Sequence, residues 1–562
     1  MKETMTGAWA VIRSLIEEEV TTLFGYIGGT IMPVYDALFD HRDQLNHILA
    51  RHEQGAVHAA QGYARASGKV GVCFATSGPG ATNLVTGIAD AMLDSTPLVC
   101  ITGQVASGFL GADAFQETDV VGISMPITKW NFQVTTAAEI PRALAKAFYI
   151  ARSGRPGPVL IDITKDAQVG SLEFEYEKCQ GLRSYFPRPI MDDGAVREAA
   201  RMIDRSRRPL LLVGHGVLLS GATEELAALA EKADIPVAST LLGLSAFPSD
   251  HPLYMGMLGM HGNYAPNIAT NESDLLIAVG MRFDDRVTGN LDGYAKQAEI
   301  IHIEIDRSEI GKNVSVTLPL LADALEALSA LVPFVSERRR PNWLERFKVL
   351  YNKEHDVVIR DQLYPRGDQI RMGETVRLVS EHTDGKAVVV ADVGQHQMKT
   401  GRYYRFRYPQ SFITSGGLGT MGFGLPASVG VSFATKRPVV AIIGDGGFQM
   451  TLQELATIRQ NNLPVKVVIL DNNFLGMVRQ WQELFFSKKY SYTELTNPDF
   501  VKIAEGYGIP GERVSKRTDL VGAIARALDA EGPYVLNVAV IKEDNVFPMV
   551  EPGAEISRIR LE

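Results

Sequence analysis

The most constraining feature of this sequence is a strand, turn, helix and strand that end on polar side chains. An apolar strand, 438–443, leads into Gly444-Asp445-Gly446, and after a helix-like segment a second apolar strand, 465–470, is followed by Asn472. Two apolar strands separated by a helical pattern predict neighbouring parallel strands in an open α/β sheet. Asp445 and Asn472 would then share the carboxyl edge of that sheet, where such sheets bind ligands.

The chemistry of these side chains indicates what the edge would hold. A carboxylate and an amide oxygen suit Mg²⁺, an ion that completes its shell with water and phosphate oxygens. Gly444, Gly446 and Gly447 allow backbone N–H groups to approach a diphosphate at the start of the helix. An isolated GDG is most often an ordinary tight turn. The strand on each side and the asparagine after the second strand predict a metal–diphosphate site instead.

Length and composition restrict the class of protein. A chain of 562 residues should form about three or four domains, and its 46% hydrophobic content is enough for real cores. No apolar run reaches the roughly 18 residues of a membrane span, and the first residues lack a secretory pattern. The three cysteines lie far apart, so a disulfide framework or zinc site is not expected and a cytoplasmic location fits.

Charge and element patterning complete the outline. With a net charge of −9, nucleic acid is a poor partner, and we interpret Arg338–Arg340 as part of a solvated linker. Alternating strand and helix patterns predict an α/β protein with three doubly wound parallel-sheet domains. The predicted boundaries are domains at 1–170, 190–335 and 369–545, linkers at 171–189 and 336–368, and a tail at 546–562.

Two observations extend this outline to a second ligand edge. Residues 70–91 and 439–458 share the order strand, glycine-rich turn, helix, which predicts one architecture for the first and third domains, although any two βα units share some likeness. Glu53 lies between an apolar segment and a small-residue helix pattern. A carboxyl at such a junction can be buried beside a helix N-terminus, although a single glutamate is more often solvated.

Taken together, RHEQGA (51–56), TSGPGATN (76–83) and the GDG-to-Asn pattern resemble the acetohydroxyacid synthase (acetolactate synthase) large-subunit family of thiamine diphosphate (ThDP) enzymes, over about residues 5–550. The resemblance implies pyrimidine-binding, central FAD-binding and diphosphate-binding domains, in that order. It also implies decarboxylation of pyruvate and ligation of the two-carbon unit to a second pyruvate, giving 2-acetolactate, or to 2-oxobutyrate, giving 2-aceto-2-hydroxybutyrate. This is the first common step of branched-chain amino acid biosynthesis.

The resemblance also implies roles at the ThDP site. Glu53 would hydrogen-bond the aminopyrimidine, and Met421 would lie beneath the bend of the cofactor. The diphosphate contacts would be Gly394, Gln395, His396, Gly419, Gly444, Gly446 and Gly447, and the Mg²⁺ contacts Asp445, Asn472 and Phe474. In the family, Glu53 and the GDG segment of one site come from different subunits, so a homodimer or tetramer is implied.

The central domain carries several turns that follow strands or apolar runs, including the GxG at Gly214 and Gly216. All of them could line one sheet edge, which would suit a long ligand of mixed polarity. The resemblance implies FAD, with a structural role because the main reaction has no net redox change. Its implied contacts are Arg155, Gly214, Gly216, Thr240, Leu241, Met257, Leu258, His261, Gly280, Arg282, Asp284, Arg286, Val287 and Asp323.

Substrate residues are implied in the same way. Arg286 would bind the carboxylate of the second oxoacid, unless it only pairs with neighbouring aspartates, and Trp481 would select between acceptors, unless it is a core residue. One methylene in such a pocket is worth roughly 1–3 kcal/mol. Gln116, Lys165 and Met477 are the other predicted catalytic-site positions. Because this chemistry needs a dry site, residues 476–490 and the tail are candidate lid segments.

Three departures from the family pattern and several alternatives stay open. Ile27 stands where proline is usual, Ala106 replaces a frequent proline, and Lys399 stands where an aromatic is common. Their effects are not readable from the sequence, nor are the preferred acceptor, the choice between dimer and tetramer, and a small regulatory subunit.

Four alternative functions fit parts of this pattern. The runner-up is a pyruvate oxidase-like flavoenzyme. Glyoxylate carboligase is disfavoured because it lacks the glutamate that Glu53 provides, and a nicotinamide-linked dehydrogenase because no GxGxxG run follows a first strand. A non-catalytic flavin-binding scaffold predicts loss of Glu53, Asp445 or Asn472, and all three are present.

Overall fold

The computed structural model describes residues 3–562, and its framework is three six-stranded sheets. Every strand pair within these sheets is parallel. Helices connect successive strands in each sheet. The prediction of an α/β protein with three parallel-sheet domains is therefore confirmed.

The N-terminal domain contains eight strands and eight α-helices. The strands are β1 (Glu3–Thr6), β2 (Thr22–Gly25), β3 (Asn46–Leu49), β4 (Gly71–Ala75), β5 (Leu98–Gln104), β6 (Trp130–Val134), β7 (Pro158–Thr164) and β8 (Ser171–Phe174). The helices are α1 (Gly7–Glu17), α2 (Met32–Phe39), α3 (Glu53–Ser67), α4 (Pro79–Asn83), α5 (Val85–Asp94), α6 (Val120–Ser124), α7 (Ile140–Arg152) and α8 (Lys165–Val169). The sheet has the order β3-β2-β4-β5-β7-β6, and β1 pairs with β8 in an antiparallel ribbon.

The central domain is a second layer of parallel strands. Its strands are β9 (Pro209–Val213), β10 (Val237–Ser239), β11 (Tyr254–Met257), β12 (Leu275–Val279), β13 (Glu299–Glu304) and β14 (Leu318–Leu321). Its helices, with those of the following segment, are α9 (Asp193–Arg205), α10 (His215–Ser220), α11 (Thr223–Ala233), α12 (Tyr264–Thr270), α13 (Asp285–Thr288), α14 (Ala324–Leu331), α15 (Pro341–Glu354) and α16 (Arg360–Leu363). The sheet order is β11-β10-β9-β12-β13-β14, the arrangement of the doubly wound dinucleotide-binding fold.

The C-terminal domain completes the chain. Its strands are β15 (Val388–Ala391), β16 (Phe412–Thr414), β17 (Val439–Gly444), β18 (Lys466–Asp471), β19 (Gly511–Val514) and β20 (Tyr534–Ala539). Its helices are α17 (Met372–His382), α18 (Gln395–Tyr403), α19 (Gly424–Ala434), α20 (Asp445–Thr451), α21 (Leu455–Gln460), α22 (Gly476–Phe485), α23 (Phe500–Gly506) and α24 (Arg517–Asp529). The sheet order is β16-β15-β17-β18-β20-β19.

The first and third sheets share one topology. If the strands of each sheet are numbered along the chain, both run second, first, third, fourth, sixth, fifth. The two segments that the sequence paired, around β4 and β17, are the third strand of their respective sheets. The predicted likeness of the two domains is therefore a shared architecture, whereas the central domain has a different strand order.

Helices α3 and α19 cross at very close range and join the N-terminal and C-terminal domains. A Cβ on Gly430 would lie 1.8 Å from Ala59 O, and a Cβ on Gly62 would lie 2.1 Å from Ala427 O. Only glycine allows two backbones to approach so closely. The apolar side chains around the crossing belong to one buried cluster with members from both domains. A common core thus fixes these two sheets relative to each other.

The charge-rich segment 336–368 is largely helical. It contains α15, a π-helical turn (His355–Ile359) and α16. Arg340 is 7% exposed and donates hydrogen bonds to the carbonyls of Ala233 and Ile203, so the interpretation of Arg338–Arg340 as solvated is wrong for Arg340. The charged face of α15 concealed an apolar stripe that packs on the central domain.

The tail also packs on the central domain. Val550 N donates to Met260 O at 2.8 Å, and Asn290 N donates to Ala554 O at 2.9 Å. The tail side chains Val550, Ile556 and Ile559 are buried in a central-domain cluster. Across residues 3–562, no helix combines the length and the apolar character that a membrane crossing needs.

Substituting Gly430 with alanine should destabilise the protein, because the new Cβ would overlap the α3 backbone, which cannot move aside as a side chain can. Overpacking of this kind costs about 1–3 kcal/mol or more. The apparent melting temperature of the full chain should fall, measured by circular dichroism. The matched control is Gly506→Ala, a helical glycine whose Cβ would meet nothing within 4 Å. An unchanged melting temperature in Gly430→Ala would show that the crossing is looser than the structure indicates.

Candidate functional site

A cavity of about 1660 Å³ lies where the three domains meet. It is lined on one side by the carboxyl ends of the central strands and on another by turns of the C-terminal domain. Every position that the family resemblance assigned to FAD lines this cavity, as do Gly394, Gly419, Met421, Met477 and Trp481. The structure thus brings most of the predicted cofactor positions around one space, which is larger than a typical small-ligand pocket.

The central domain shapes the cavity through glycine turns after its strands. Gly280, which follows β12, has a φ of +55°, and a Cβ there would lie 2.6 Å from the Cα of Gly216. These two turns therefore touch, and only glycines permit the contact. At the end of β13, burial raises the pKa of Glu304 to about 7. His261 Nδ1 is buried and has no hydrogen-bond partner among the described residues, so the wall presents polar atoms that a ligand could satisfy.

Arg155 enters the cavity wall from the N-terminal domain. Its Nε donates to Ser95 Oγ at 2.9 Å, and its Nη1 lies 2.9 Å from Glu309 Oε1 and 3.3 Å from Asp306 Oδ2. Both acidic partners belong to the central domain. Arg155 was predicted as a cation for FAD, and in this structure its charge also ties the two domains together.

The metal ligands predicted from the sequence lie at the carboxyl edge of the C-terminal sheet. Asp445 begins α20 directly after β17, and Asn472 follows β18. The Asn497 side chain donates to Asp445 Oδ2 at 2.7 Å and to Asp471 Oδ1 at 2.8 Å. The edge therefore holds two carboxylates and two amides. Asp471 and Asn497 were not predicted, although Asp471 stands in the run that pointed to Asn472.

The charge balance at this edge favours a bound cation. Burial, with a smaller contribution from Asp471, raises the pKa of Asp445 to about 7. Its hydrogen-bond partners are Asn497 and the backbone N–H groups of Gly446 and Asn473, and no described lysine, arginine or histidine forms an ion pair with it. A buried carboxylate without a countercharge is costly, and a divalent ion on oxygen ligands would compensate it.

The predicted diphosphate residues adjoin the metal edge. Asn472 Nδ2 lies 3.4 Å from Gln395 Oε1, and Asn472 Oδ1 accepts from Phe474 N at 3.1 Å. His396 is buried, which lowers its pKa to about 3, and its Nε2 has no partner among the described residues. The ring lies against the GDG turn, since a Cβ on Gly444 would be 2.8 Å from its Cε1.

Asp392 holds the loop that carries Gly419 and Met421. Its carboxylate accepts hydrogen bonds from Gly422 N at 2.9 Å and Gly424 N at 3.1 Å, and burial raises its pKa to about 6. The Met421 methyl group lies 3.5 Å from the point that a Cβ on Gly446 would occupy. The loop is thus fixed beside the GDG turn, at one end of the cavity. Asp392 was not predicted, although it stands two residues before the predicted Gly394.

Arg286 and Trp481 meet across the domain boundary. The Arg286 guanidinium lies 5.9 Å from the centre of the Trp481 ring, and its side chain is 60% exposed. Asp285 Oδ2 is 3.8 Å from Arg286 Nε, so the pairing that would make this arginine purely structural is long. Met477 precedes Trp481 by one turn of α22 and lines the same cavity. The predicted acceptor residues from two domains are therefore neighbours.

Glu53, Gln116 and Lys165 lie elsewhere, at the carboxyl edge of the N-terminal sheet. Glu53 is the first residue of α3, is 9% exposed, and accepts a hydrogen bond from Asn83 Nδ2 at 2.9 Å. Gln116 lies on the TSGPG turn, because a Cβ on Gly78 would be 2.9 Å from its carbonyl oxygen. Lys165 begins α8 directly after β7. The predicted setting of Glu53 at a strand–helix junction is confirmed.

Within one chain, the edge of the N-terminal sheet that faces the cavity is the one formed by the amino ends of its strands. The segments that line the cavity from this domain, 93–95 and 152–156, precede β5 and β7. They are the amino ends of those strands. Glu53, Gln116 and Lys165 lie at the opposite ends and are not among the lining residues. Among the described residues of a single chain, Glu53 is hydrogen-bonded to Asn83 and Asp445 to Asn497, and no hydrogen bond joins Glu53 to Asp445.

The three residues that depart from the family pattern, Lys399, Ile27 and Ala106, lie in different surroundings. Lys399 is 1% exposed, and its Nζ donates to Gln362 Oε1 at 2.7 Å and lies 3.6 Å from Asp544 Oδ2. Burial lowers its pKa to about 8. Ile27 is 43% exposed, and Ala106 precedes a short 3₁₀ turn beside Ser107. Lys399 thus connects α18 to Asp544, just before the tail. Ile27 and Ala106 lie at the carboxyl edge of the sheet in the N-terminal domain.

Three family models of thiamine pyrophosphate enzymes match the chain. They are the N-terminal TPP binding domain at residues 5–123, the central domain at 196–331 and the C-terminal TPP binding domain at 392–538. These ranges fall within the three structural domains and include Glu53, Gln116, Asp445 and Asn472, whereas Lys165 lies beyond the N-terminal match. The two TPP binding domains are the pair that shares one topology.

Full-length relatives agree with the family models. The chain is 46% identical over 562 residues to the acetolactate synthase isozyme 2 large subunit of Escherichia coli K12, with 99% of each protein covered. It is 46% identical to a probable acetolactate synthase large subunit of Methanocaldococcus jannaschii, covering 99% of this chain and 95% of the relative. For the acetolactate synthase large subunit of Lactococcus lactis IL1403 the identity is 44%, with coverages of 98% and 96%. In agreement with the resemblance of the motifs, the chain belongs to the family of acetolactate synthase large subunits, which are thiamine pyrophosphate enzymes.

Proposed function

We propose that this chain is the catalytic large subunit of an acetohydroxyacid synthase that uses ThDP, Mg²⁺ and FAD. Family membership supports a ThDP-dependent carboligase over the pyruvate oxidase-like alternative. The observation that carries the proposal for this chain is the buried, uncompensated Asp445–Asp471 pair beside Asn472. It adjoins a cavity that the acceptor residues Arg286 and Trp481 share.

The C-terminal edge fits the diphosphate end of ThDP. Asp445 and Asn472, with Phe474, would hold Mg²⁺, and Gln395 and His396 would contact the diphosphate. The free Nε2 of His396 and the lack of a protein cation at Asp445 support this fit. Met421 would support the body of the cofactor from the neighbouring loop. When bound, ThDP supplies an electron sink for decarboxylation of a 2-oxoacid.

The remainder of the cavity fits FAD. It is long enough to run from Gly419 and Met421 across the central strand ends to Glu304 and Asp323. The classical strand order of the central domain places its ligand crevice on this edge. The unpartnered Nδ1 of His261 and the buried carboxyl of Glu304 are atoms that a polar ligand could satisfy. FAD would link the central and C-terminal domains and hold the cavity open.

The chain's own groups would then do three kinds of work. Glu53 would hydrogen-bond the pyrimidine part of the cofactor and hold the proton exchanged there, and its buried carboxyl, hydrogen-bonded to Asn83, supports this role. Arg286 pairs with the carboxylate of the acceptor oxoacid. Trp481 and Met477 provide an apolar wall that excludes water, which protects the two-carbon unit from protons until the acceptor arrives.

A second copy of the chain would complete the site. Next to Gln116, at the carboxyl edge of the N-terminal sheet, the large apolar side chain of Phe115 is 88% exposed. Near the GDG edge, Met450 is 54% and Leu418 42% exposed. Burying both surfaces in a symmetric dimer would bring Glu53 of one copy to the metal edge of the other. The oligomer is thus at least a homodimer.

The proposal also includes a regulatory partner and a cytoplasmic location. The relatives are named large subunits, so we expect a small regulatory partner for this chain as well. Cys73 and Cys100 are free, buried thiols, which suits the reducing cytoplasm.

The activity is tested directly with purified protein, ThDP, Mg²⁺, FAD and pyruvate. Acetolactate should accumulate and be detected as acetoin after acidification, while the absorbance of FAD stays unchanged during turnover. Bleaching of the flavin by pyruvate without acetolactate would instead support an oxidase-like reaction. Failure to release carbon dioxide would remove the proposal altogether.

The shared site is tested by mixing two inactive variants. Glu53→Gln should bind ThDP normally but lose turnover by orders of magnitude, and Asp445→Ala should lose Mg²⁺-dependent ThDP binding. After the mixture is dissociated and reassembled, about a quarter of the wild-type rate should return, because half of the dimers are mixed and each contains one intact site. The control is the variant Asp519→Ala, which changes an exposed residue. It is dissociated and reassembled in the same way and should remain fully active. No recovery would mean that each site lies within one chain.

Arg286→Ala should mainly impair use of the acceptor. The second oxoacid loses its charge partner, so its apparent KM should rise on the order of tenfold or more, while the rate of pyruvate decarboxylation changes little. The matched control is Arg282→Ala, which alters a neighbouring cation of the cavity without contact to Trp481. A loss confined to FAD retention in Arg286→Ala would move this residue to the flavin site.

A further inference from the structure

The end of helix α5 is the point at which all three domains touch. Asp94, the last residue of α5, is 1% exposed. Its Oδ2 accepts a hydrogen bond from Gly416 N at 2.9 Å, and its Oδ1 accepts one from Gly417 N at 2.6 Å. A side chain of the N-terminal domain thus holds two consecutive backbone amides of the C-terminal domain.

Glycine is required at positions 416 and 417 for these two hydrogen bonds to form. A Cβ on Gly417 would lie 2.8 Å from Leu93 Cβ and 3.0 Å from Asp94 Oδ1, and a Cβ on Gly416 would lie 2.5 Å from Leu242 Cγ of the central domain. Larger residues would separate the three domains here. The double glycine therefore serves to seat this loop on the Asp94 carboxylate.

The loop that Asp94 holds leads to the ThDP end of the cavity. Gly419 and Met421, both predicted ThDP contacts, lie two and four residues after Gly417. Thr420 N donates to Ser415 Oγ at 2.8 Å, which closes the loop on itself. Restraining Gly416 and Gly417 therefore restrains the two positions that would support the cofactor.

The opposite side of Asp94 faces the flavin end. His215 Nδ1 donates to the backbone carbonyl of Asp94 at 2.9 Å, and His215 stands between Gly214 and Gly216 of the turn after β9. The next residue, Ser95, accepts the hydrogen bond from Arg155. Asp94 and its neighbour thus contact the predicted FAD position Arg155, the turn that carries Gly214 and Gly216, and the ThDP loop at the same time.

The carboxylate is held in place from a third direction. Arg65 Nη1 lies 3.4 Å from Asp94 Oδ2 and donates to Thr414 O at 2.6 Å. Two N–H groups and one guanidinium satisfy a buried carboxylate well, so its position is well determined. A displacement of the His215 turn would therefore shift the Gly416–Gly417 loop through Asp94, and the reverse also holds.

We propose that Asp94 is a positioning residue through which ligands at the two ends of the cavity strengthen each other's binding. A ligand that orders the Gly214–Gly216 turn fixes His215 and thereby Asp94, and a ligand that orders the Gly419–Met421 loop favours the same arrangement. Each ligand then meets a protein that the other has already ordered, and this coupling is reciprocal. The inference rests on the proposed function, which takes FAD and ThDP as the two ligands.

The experiment measures coupling in the full-length apoprotein, stripped of cofactors. The Kd of ThDP in excess Mg²⁺ is determined by tryptophan fluorescence, without FAD and at an FAD concentration that saturates each variant by flavin fluorescence. In the wild-type chain FAD should lower the Kd by a factor on the order of ten. In Asp94→Asn, which keeps the size of the side chain, the ratio of the two Kd values should fall towards one.

Asp90→Asn is the matched control. Asp90 lies one turn earlier on α5, is also buried, and accepts hydrogen bonds from Ser415 Oγ and, at 3.0 Å, from Thr420 Oγ1. Its contacts are with the same loop and not with the flavin turn. This variant should weaken ThDP binding equally with and without FAD, and so leave the ratio at its wild-type value. A merely structural role of Asp94 would give the same pattern as Asp90.

The outcomes separate clearly. A wild-type ratio in Asp94→Asn, or no effect of FAD on the wild-type Kd, overturns the inference. A wild-type chain that binds no ThDP under either condition overturns the proposed function instead. If Asp94→Asn does not fold, as judged by its melting curve, His215→Leu removes the hydrogen bond to the Asp94 carbonyl while the carboxylate remains, and the same fall in the ratio is expected.

Discussion

The close crossing of helices α3 and α19 determines most of the remaining arrangement. Because Gly62 and Gly430 let the two backbones touch, the N-terminal and C-terminal domains share one core and cannot rotate independently. That core directs the amino ends of β5 and β7 towards the common cavity and the opposite edge, with Glu53, away from it. This packing is the basis of our proposal that a second copy of the chain completes the site.

Buried carboxylates fix the loops around the cavity. Asp392 and Asp94 each accept hydrogen bonds from two backbone amides of the segment 416–424, and both have a pKa raised to about 6 by burial. Their cost is offset by the bonds they accept, so they hold irregular backbone in one conformation. Asp445 differs because a second buried carboxylate, Asp471, shares its Asn497 partner and adds to the rise of its pKa, which is the condition expected at a cation site.

Local sequence patterns predicted strands and helices, and the polar residues at the carboxyl edge of an individual sheet. The apolar runs 438–443 and 465–470 correspond to β17 and β18 to within one residue at each end, and the GDG turn with its following asparagine lay at the predicted sheet edge. The helical character of 336–368 was missed, because its charged face outweighed a narrow apolar stripe. Asp471, Asn497, Asp392 and Asp94 were also missed, since each gains its role from a partner distant in sequence.

The sequence by itself therefore determined the fold class, the two matching domains and the family, because strand and turn patterns and short motifs are local properties of the chain. Which sheet edge faces which domain was decided only by tertiary packing. So was the meeting of Arg286 with Trp481. These depend on contacts between segments hundreds of residues apart, which no local pattern encodes.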